Sequence, residues 1–576
     1  MTEGENRWLR NHADLAALFI TLLGLLARLW TASGTFLNPD EALHFRLANQ
    51  LSLALAYKAS LTSAHPPLLI LLLYYWRALG TSELWLRLPS VLAGAVFCWM
   101  FYKWLTNAAG RLPGLIGLLF VAFLPPIVQL AAEVRQYALL LAFLASALYF
   151  LDEAFAKKSL PRIAAFSLCL YLAALTHYSA FLFIAALGIY ALFRIFRERP
   201  PAGLIAAWAI GQFGALALAS FLYKTHLSTL GAGESRTAMQ GWMSDFYLRH
   251  SYFDSAHDNP LLFLVSHSFG VFQYFFGQLA VGDVMGLFFV VGVALLLRGK
   301  ALSENQTSPR RLGLLLLLPF AVAGAVSMAH IYPYGGTRHV AFLIIPGVAG
   351  VSLVMARLAA KRWTRGLAMA AFIIVACIAF GKTRRPTMTR SDQQRAQMAA
   401  AMQFINQNVA ASDLIFTDYQ SDLLLGHYLC RQQPTSFDTS LPDFEVFSCG
   451  QRIVSASFRT ATHFTPNNFV ILWRDLVDTH RLKSGDTIWV FQAGWDSDLP
   501  EDLRSHFAAF HDLNFKRFGN NIKIFKMTVG QPMPAAVSAS KTHFPVAARF
   551  SPSARNVILS GTFRPSFFVT TPKFPE

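Results

Sequence analysis

Asp40 and Glu41 are adjacent carboxylates directly after the first apolar segment, in the stretch Gly34-Thr35-Phe36-Leu37-Asn38-Pro39-Asp40-Glu41-Ala42-Leu43-His44-Phe45-Arg46. Acids at the edge of hydrocarbon are costly, and their usual justification there is function. A carboxylate so placed can act as a general base toward a hydroxyl or amine. Arg46, Arg87, Arg135, Arg338, His65 and His339 fall in segments that alternation of sides places at the same membrane face. Arginine suits a phosphate because its donors form a rigid fork. A base beside several cations fits transfer of a group from a phosphate leaving group.

Each of these residues also has a plainer reading. Asp40 and Glu41 could cap a helix that begins there, where the dipole favours acids. Arg87, two residues before Pro89, could reach the headgroups. Glu133 and Arg135 could pair with each other, and His177 could be a satisfied interfacial histidine. Tyr332 and Tyr334 fit an aromatic belt. His226, His250 and His257 share a loop with Asp245, Asp254 and Asp258, at spacings that match no tight metal motif.

The elements that must hold these groups are mostly spans. Of 576 residues, 54% are hydrophobic and only 14% charged, too few charges to cover a soluble protein this long. The apolar residues come in runs of near bilayer length, so the chain is a polytopic α-helical membrane protein with about eleven spans. The first run is too long for a signal-peptide core and is expected to be retained. The net charge of +17 is topological rather than a sign of nucleic-acid binding. Lys157/Lys158, Arg194 to Arg199, Arg298 to Arg311 and Arg357 to Arg365 all fall on one face, the expected cytoplasmic side. The acid- and histidine-bearing loops fall on the other.

Residues 40–57 read as an interfacial helix that Pro66-Pro67 ends. Leu261 to Gln278 is aromatic and amphipathic. From Lys382 the composition becomes that of a soluble α/β domain on the non-cytoplasmic side. It has a helix from Asp392 to Asn408, strands at Leu414–Thr417, Phe469–Leu472 and Thr487–Phe491, and an edge strand over Asn521–Val529. The expected division is 1–381 membrane, 382–531 soluble and 532–576 a poorly ordered tail. Cys98, Cys169 and Cys377 lie in apolar runs. Cys430 and Cys449 lie in the soluble part, where either a disulfide or two free thiols is open. No nucleotide-binding glycine motif or paired CxxC is present.

Four motifs in order carry a family resemblance: the acidic pair after span one, His65-Pro66-Pro67-Leu68, Leu86-Arg87-Leu88-Pro89-Ser90, and Glu133-x-Arg135-x-Tyr137-Ala138-Leu139. The series resembles the GT-C glycosyltransferases, in particular the branch of protein O-mannosyltransferases, aminoarabinose transferases and Rgt-type galacturonosyltransferases. The likeness is good from Ala13 to Ile195, thinner to Phe380 and absent beyond Lys382. It implies inverting transfer of a hexose or pentose from a polyprenyl-phosphate carrier to a lipid, glycan or protein acceptor. It implies Asp40 as base with Glu41 beside it. It implies His65, Arg87, Arg135, Tyr137, Arg338 and His339 on the donor phosphate and sugar, and no catalytic metal or other cofactor. A bacterial inner (plasma) membrane with a periplasmic C-terminal domain follows. Two rivals stand beside it: a transporter or flippase of lipid-linked sugars, and a non-catalytic scaffold whose C-terminal domain binds a partner.

Overall fold

The structure is a computed structural model that describes residues 3–228, 248, 250–303, 308–359, 362–381, 393–430, 444–449, 452–457, 463–495 and 497–530. The expected tail at 532–576 and Asp245 lie outside these. The fold is a bundle of apolar helices followed by a sheet-containing domain, as the sequence implies.

Among the described residues, nine helices are long and apolar enough to cross a membrane, or ten if one bent pair counts as a single span. The expected count of about eleven differs from this at two places. The third expected span is broken by 65° between α6 (Arg111–Phe123) and α7 (Pro125–Ala131). The fifth, α9 (Leu160–Thr176), has only 17 residues. It nevertheless joins the turn after α8 (Tyr137–Lys157) to His177 at the opposite end of the bundle, and so runs the same depth as its neighbour.

The break has a local cause. Pro125 and Pro126 carry no N–H, so the carbonyls of Val121 and Ala122, four residues back, lose their helical donors. An unsatisfied carbonyl in hydrocarbon costs several kcal/mol. Arg28, fully buried in α1 (Glu3–Ala32), replaces both donors: its guanidinium donates to Val121 O at 2.7 Å and Ala122 O at 3.0 Å. Gly94 in α5 (Glu83–Ala109) makes room for it, since a Cβ there would stand 2.7 Å from Arg28 Nε. On its other side α1 presents Leu15, Phe19, Leu22, Leu26 and Trp30 outward at helical spacing, a lipid-facing stripe.

Residues 40–57 form two short helices rather than the single expected one: α2 (Pro39–Ala48) and α3 (Leu53–Ser60), with Ser52 capping the second through Leu55 N–H. Pro66-Pro67 then precedes α4 (Leu68–Trp76). At the end of the bundle away from α2, Arg194 pairs with Asp152 at 2.7 Å, Arg162 with Glu153, and Arg311 with Glu198. The basic turns and the acid-bearing turns therefore occupy opposite ends.

The C-terminal domain holds a six-stranded sheet in the order β2-β3-β1-β4-β6-β5, from β1 (Leu414–Thr417), β2 (Phe444–Cys449), β3 (Arg452–Ser457), β4 (Thr487–Ala493), β5 (Phe515–Arg517) and β6 (Ile522–Thr528). β3, β1 and β4 are parallel, and the outer pairs antiparallel. Two expectations fail here. Phe469–Leu472 lies in the helix Pro466–Thr479, because Thr465 and Asn468 form a capping box ahead of it and its apolar residues fall on one face. β6 is not an edge strand, because the short β5 covers it. The β2-β3 hairpin was not anticipated. The helix Arg395–Asn408 agrees with the sequence.

Cys430 and Cys449 form a disulfide that ties the end of the helix Tyr419–Tyr428 to the end of β2. Alkylation of the denatured, unreduced protein should therefore label Cys98, Cys169 and Cys377 alone, and mass spectrometry should show two further labels after reduction. Five labels without reductant would exclude the bridge.

Candidate active site

The geometry begins with the cap of α2. Asn38 Oδ1 accepts from Glu41 N–H at 3.0 Å, and Glu41 Oε2 accepts from Asn38 N–H at 2.9 Å. Pro39 takes the first helical position, where a missing N–H costs nothing. The capping expected of the acidic pair thus falls to Glu41 alone, which leaves the Asp40 carboxylate for other work.

Glu41 is fully buried and meets Arg87, 2% exposed, through two contacts of 2.7 Å. Arg87 also donates to Ala32 O at 2.8 Å, Thr35 O at 3.1 Å, Thr35 Oγ1 at 2.7 Å and Phe36 O at 3.0 Å. Glu41 Oε1 further accepts from Val134 N–H at 2.9 Å. One ion pair thereby ties the end of α1, the start of α2, α5 and the α7–α8 linker together. Arg87 is aimed inward at these groups rather than outward at headgroups.

Asp40 faces the other way. Its Oδ2 accepts from Arg135 at 2.8 Å and from Arg338 at 2.9 Å. The three side chains are 22%, 4% and 30% exposed, so the acid and the later arginine are reachable from outside. Arg135 pairs here with Asp40, while Glu133 accepts from Gln129 at 3.2 Å. Ser90 fixes the backbone beneath Arg135 by donating to its carbonyl at 2.9 Å. Burial by itself would raise the Asp40 carboxyl, but the adjoining charges of Arg135 and Arg338 outweigh it and hold the group well below the usual carboxylate range.

Beside this triad the imidazoles form a row. The His44 ring is 6.1 Å from that of His65, which is 5.2 Å from that of His177, which is 5.3 Å from Tyr137. His44 Nδ1–H donates to Asp40 O at 2.6 Å. His177 Nδ1 accepts from Ser179 N–H at 3.1 Å, so its proton sits on Nε2. Burial lowers His44 to about 4 and His177 to about 3, with Arg135 pushing the same way, so both are neutral at pH 7. Burial, His177 and Arg135 also depress His65. His339 lies next to Arg338, with Nδ1 3.3 Å from Thr337 Oγ1.

Arg135 Nε, Arg338 Nε, Tyr137 Oη, His44 Nε2 and His177 Nε2 are buried and find no hydrogen-bond partner among the described residues. Buried polar atoms left unpaired cost about 1–3 kcal/mol each. All five lie around the partly exposed Asp40 carboxylate, and four of the five atoms belong to groups that can donate.

Residues 64–223 match the family model described as dolichyl-phosphate-mannose-protein mannosyltransferase. The match takes in His65, Arg87, Arg135, Tyr137 and His177; Asp40, Glu41, Arg338 and His339 lie outside it. No curated protein sequence matches the chain significantly. Among solved structures, ArnT from Cupriavidus metallidurans bound to undecaprenyl phosphate is similar at 12% identity, with 91% of this chain and 100% of that chain covered and a TM-score of 0.49. The archaeal oligosaccharyltransferase AglB from Archaeoglobus fulgidus, in complex with an inhibitory peptide and a dolichol-phosphate, is similar at 9% identity, with 84% and 70% covered and a TM-score of 0.48.

The structure brings Asp40, Arg135 and Arg338 into direct contact and sets His65 and Tyr137 near them through the imidazole row. It places Glu41 and Arg87 in the brace behind. Arg46 turns away to acids of the C-terminal domain. His44 and His177 join the site, although neither was among the catalytic or donor-binding residues expected from the sequence. The one available signal for His44 was its position four residues after Asp40, on the same helix face. His226, in the loop weighed for metal, contacts Tyr178 Oη and Ser63 O instead, and the exposed His257 contacts Asp254.

Proposed function

We propose that this protein is an integral-membrane glycosyltransferase that moves a sugar from a polyprenyl-phosphate carrier to an acceptor at the non-cytoplasmic face, by a single inverting displacement. The observation that carries this reading is the half-open Asp40 carboxylate held between two guanidiniums that retain unpartnered donors. Asp40 takes the proton from the acceptor hydroxyl or amine. The acceptor atom bonds to the anomeric carbon as the bond from that carbon to the phosphate oxygen breaks. The electron pair leaves with the polyprenyl phosphate, whose new charge falls to Arg135 and Arg338, with Tyr137, His65 and His339 beside it. Glu41 and Arg87 keep α2 in register.

The resting site also regulates its own base. Two arginines make Asp40 a weak acceptor of protons. An arriving phosphate competes for the same guanidiniums, and as they turn to it the carboxylate regains basicity. A flippase would hold its charges near the bilayer midplane. Here they gather at one end of the bundle, which favours transfer.

The test is transfer from radiolabelled undecaprenyl-phosphate sugars in proteoliposomes supplied with membrane extract. Label that enters a product, and is not merely moved across the bilayer, supports the reading; label moved without bond cleavage overturns it. The pH profile adds a second check. Asp40 is ionised, and the row histidines neutral, well below neutrality, so kcat/KM should show no acid limb above about pH 5. Arg135→Gln removes a cation that depresses Asp40, so its acid limb should move upward while the donor KM rises. An unchanged limb in that variant would remove Arg135 from the electrostatics of the base.

A further inference from the structure

The segment that carries Asp40 is held by the C-terminal domain at both ends. Upstream, Phe36 N–H donates to Gln393 O at 2.9 Å, Gln393 Nε2 donates to Phe36 O at 2.5 Å, and Arg395 N–H donates to Gly34 O at 3.0 Å. Thr35 and Gln394 form an antiparallel bridge there. Leu37 N–H donates to Tyr428 Oη at 2.8 Å, and that hydroxyl donates to Glu83 Oε1 at 3.1 Å. Downstream, Arg46 on the last turn of α2 donates to Asp422 at 3.0 and 3.2 Å and also meets Glu445. Asp422 and Glu445 are 1% and 7% exposed, so their charges depend on Arg46 for compensation.

These two acids come from different elements, the helix Tyr419–Tyr428 and β2. The same two elements are joined by Cys430–Cys449. The topology explains why α2 meets them. β1 lies between parallel β3 and β4; the chain runs from β1 to β3 on one side and then crosses back to β4 on the other, so the crevice at the carboxyl end of β1 is the switch point where open α/β sheets take ligands. Here α2 packs against that end. Gly494, just past β4 with φ +118°, lies so close that a Cβ on it would be 2.9 Å from Pro39 Cγ. Pro39 immediately precedes Asp40.

We infer that the C-terminal domain uses its switch-point edge to set the position of the base, and that Arg46 is the positioning residue through which it does so. This rests on the reading of Asp40 above. Among the described residues the Asp40 carboxylate pairs with Arg135 and Arg338 of the membrane region, so its distance from the acceptor is fixed by where α2 sits. A displacement of about 1 Å at a reacting group can cost on the order of 100-fold in rate.

The test uses the full chain in lipid nanodiscs, with two readouts. Hydrogen exchange needs no substrate: in Arg46→Gln, peptides spanning residues 34–48 should exchange about 10-fold faster than in wild type, with those of α8 unchanged. In undecaprenyl-phosphate-sugar transfer, kcat should fall about 10- to 100-fold with donor KM within about 2-fold, and Arg46→Lys should recover part of the loss. Unchanged exchange over 34–48, or a loss confined to KM, overturns the inference. If Arg46→Gln does not accumulate, Tyr428→Phe, which removes one hydroxyl, is held to the same two readouts. An Asp40→Asn protein that remains active refutes the base and not the clamp. An inactive Asp40→Asn beside an Arg46→Gln indistinguishable from wild type refutes the clamp and not the base.

Discussion

Asp40→Asn should insert and fold normally and lose transfer by at least about 1,000-fold, in the upper range of what a general base contributes. The expectation follows from how little else Asp40 does. The cap of α2 is made by Asn38 and Glu41, and the brace beneath it by Glu41 and Arg87, so removing the charge at residue 40 disturbs neither. Arg135 and Arg338 would lose a partner. Arg338 is open to water, and a phosphate could occupy the place the carboxylate left. Binding of undecaprenyl phosphate by the variant should therefore be retained or strengthened while turnover disappears, and that split separates a lost base from a collapsed site. Wild-type turnover in a well-folded Asp40→Asn would end the proposal.

Arg87→Leu should do the reverse and act on stability. It leaves the Glu41 carboxylate buried with two backbone donors, and strips the carbonyls of Ala32, Thr35 and Phe36 of their shared one. Removing one partner of a buried pair costs about 3–5 kcal/mol. Thermal unfolding in detergent should drop sharply, and expression with it. Arg87→Lys should recover little, because an ammonium cannot reach both carboxylate oxygens and the carbonyls behind them at once. Glu41→Gln should be milder, because the amide oxygen can still accept part of the network. Should Glu41→Gln keep its unfolding temperature yet lose transfer, Glu41 would belong with the reacting groups rather than the brace.

Much of this was legible before any coordinates. Apolar runs of span length, broken by basic turns on one side, are a strong periodic signal, and they sorted Asp40, Arg135, His177 and Arg338 to one end of the bundle correctly. Asp40 and Arg338 are 298 positions apart, and only alternation of sides linked them. What the sequence left hidden is direction. Glu41 and Asp40 differ by one methylene and one position, yet a helix turns about 100° per residue, so one faces the interior and the other the opening. Arg87 and Arg135 are equally cationic in a string of letters, and only the carbonyls around Arg87 mark it as structural. The 17-residue α9 and the bent α6–α7 pair looked like ordinary spans because an apolar run of letters shows neither its exact helical length nor a 65° bend at paired prolines. Phe469–Leu472 was misread because four apolar residues fit a strand or one face of a helix equally well.

Arg28 bears on how this bundle could be re-engineered. The guanidinium in α1 and the two prolines between α6 and α7 form a single functional unit spread over three positions. Restoring amides at both 125 and 126 would let the helix continue and leave the cation with Gly24 O alone, while changing residue 28 alone would leave two bare oxygens there. Chimeras that exchange α1 between relatives should tolerate the graft only when the proline pair travels with it, and a double exchange whose loss is the sum of the two single losses would show the positions to be independent.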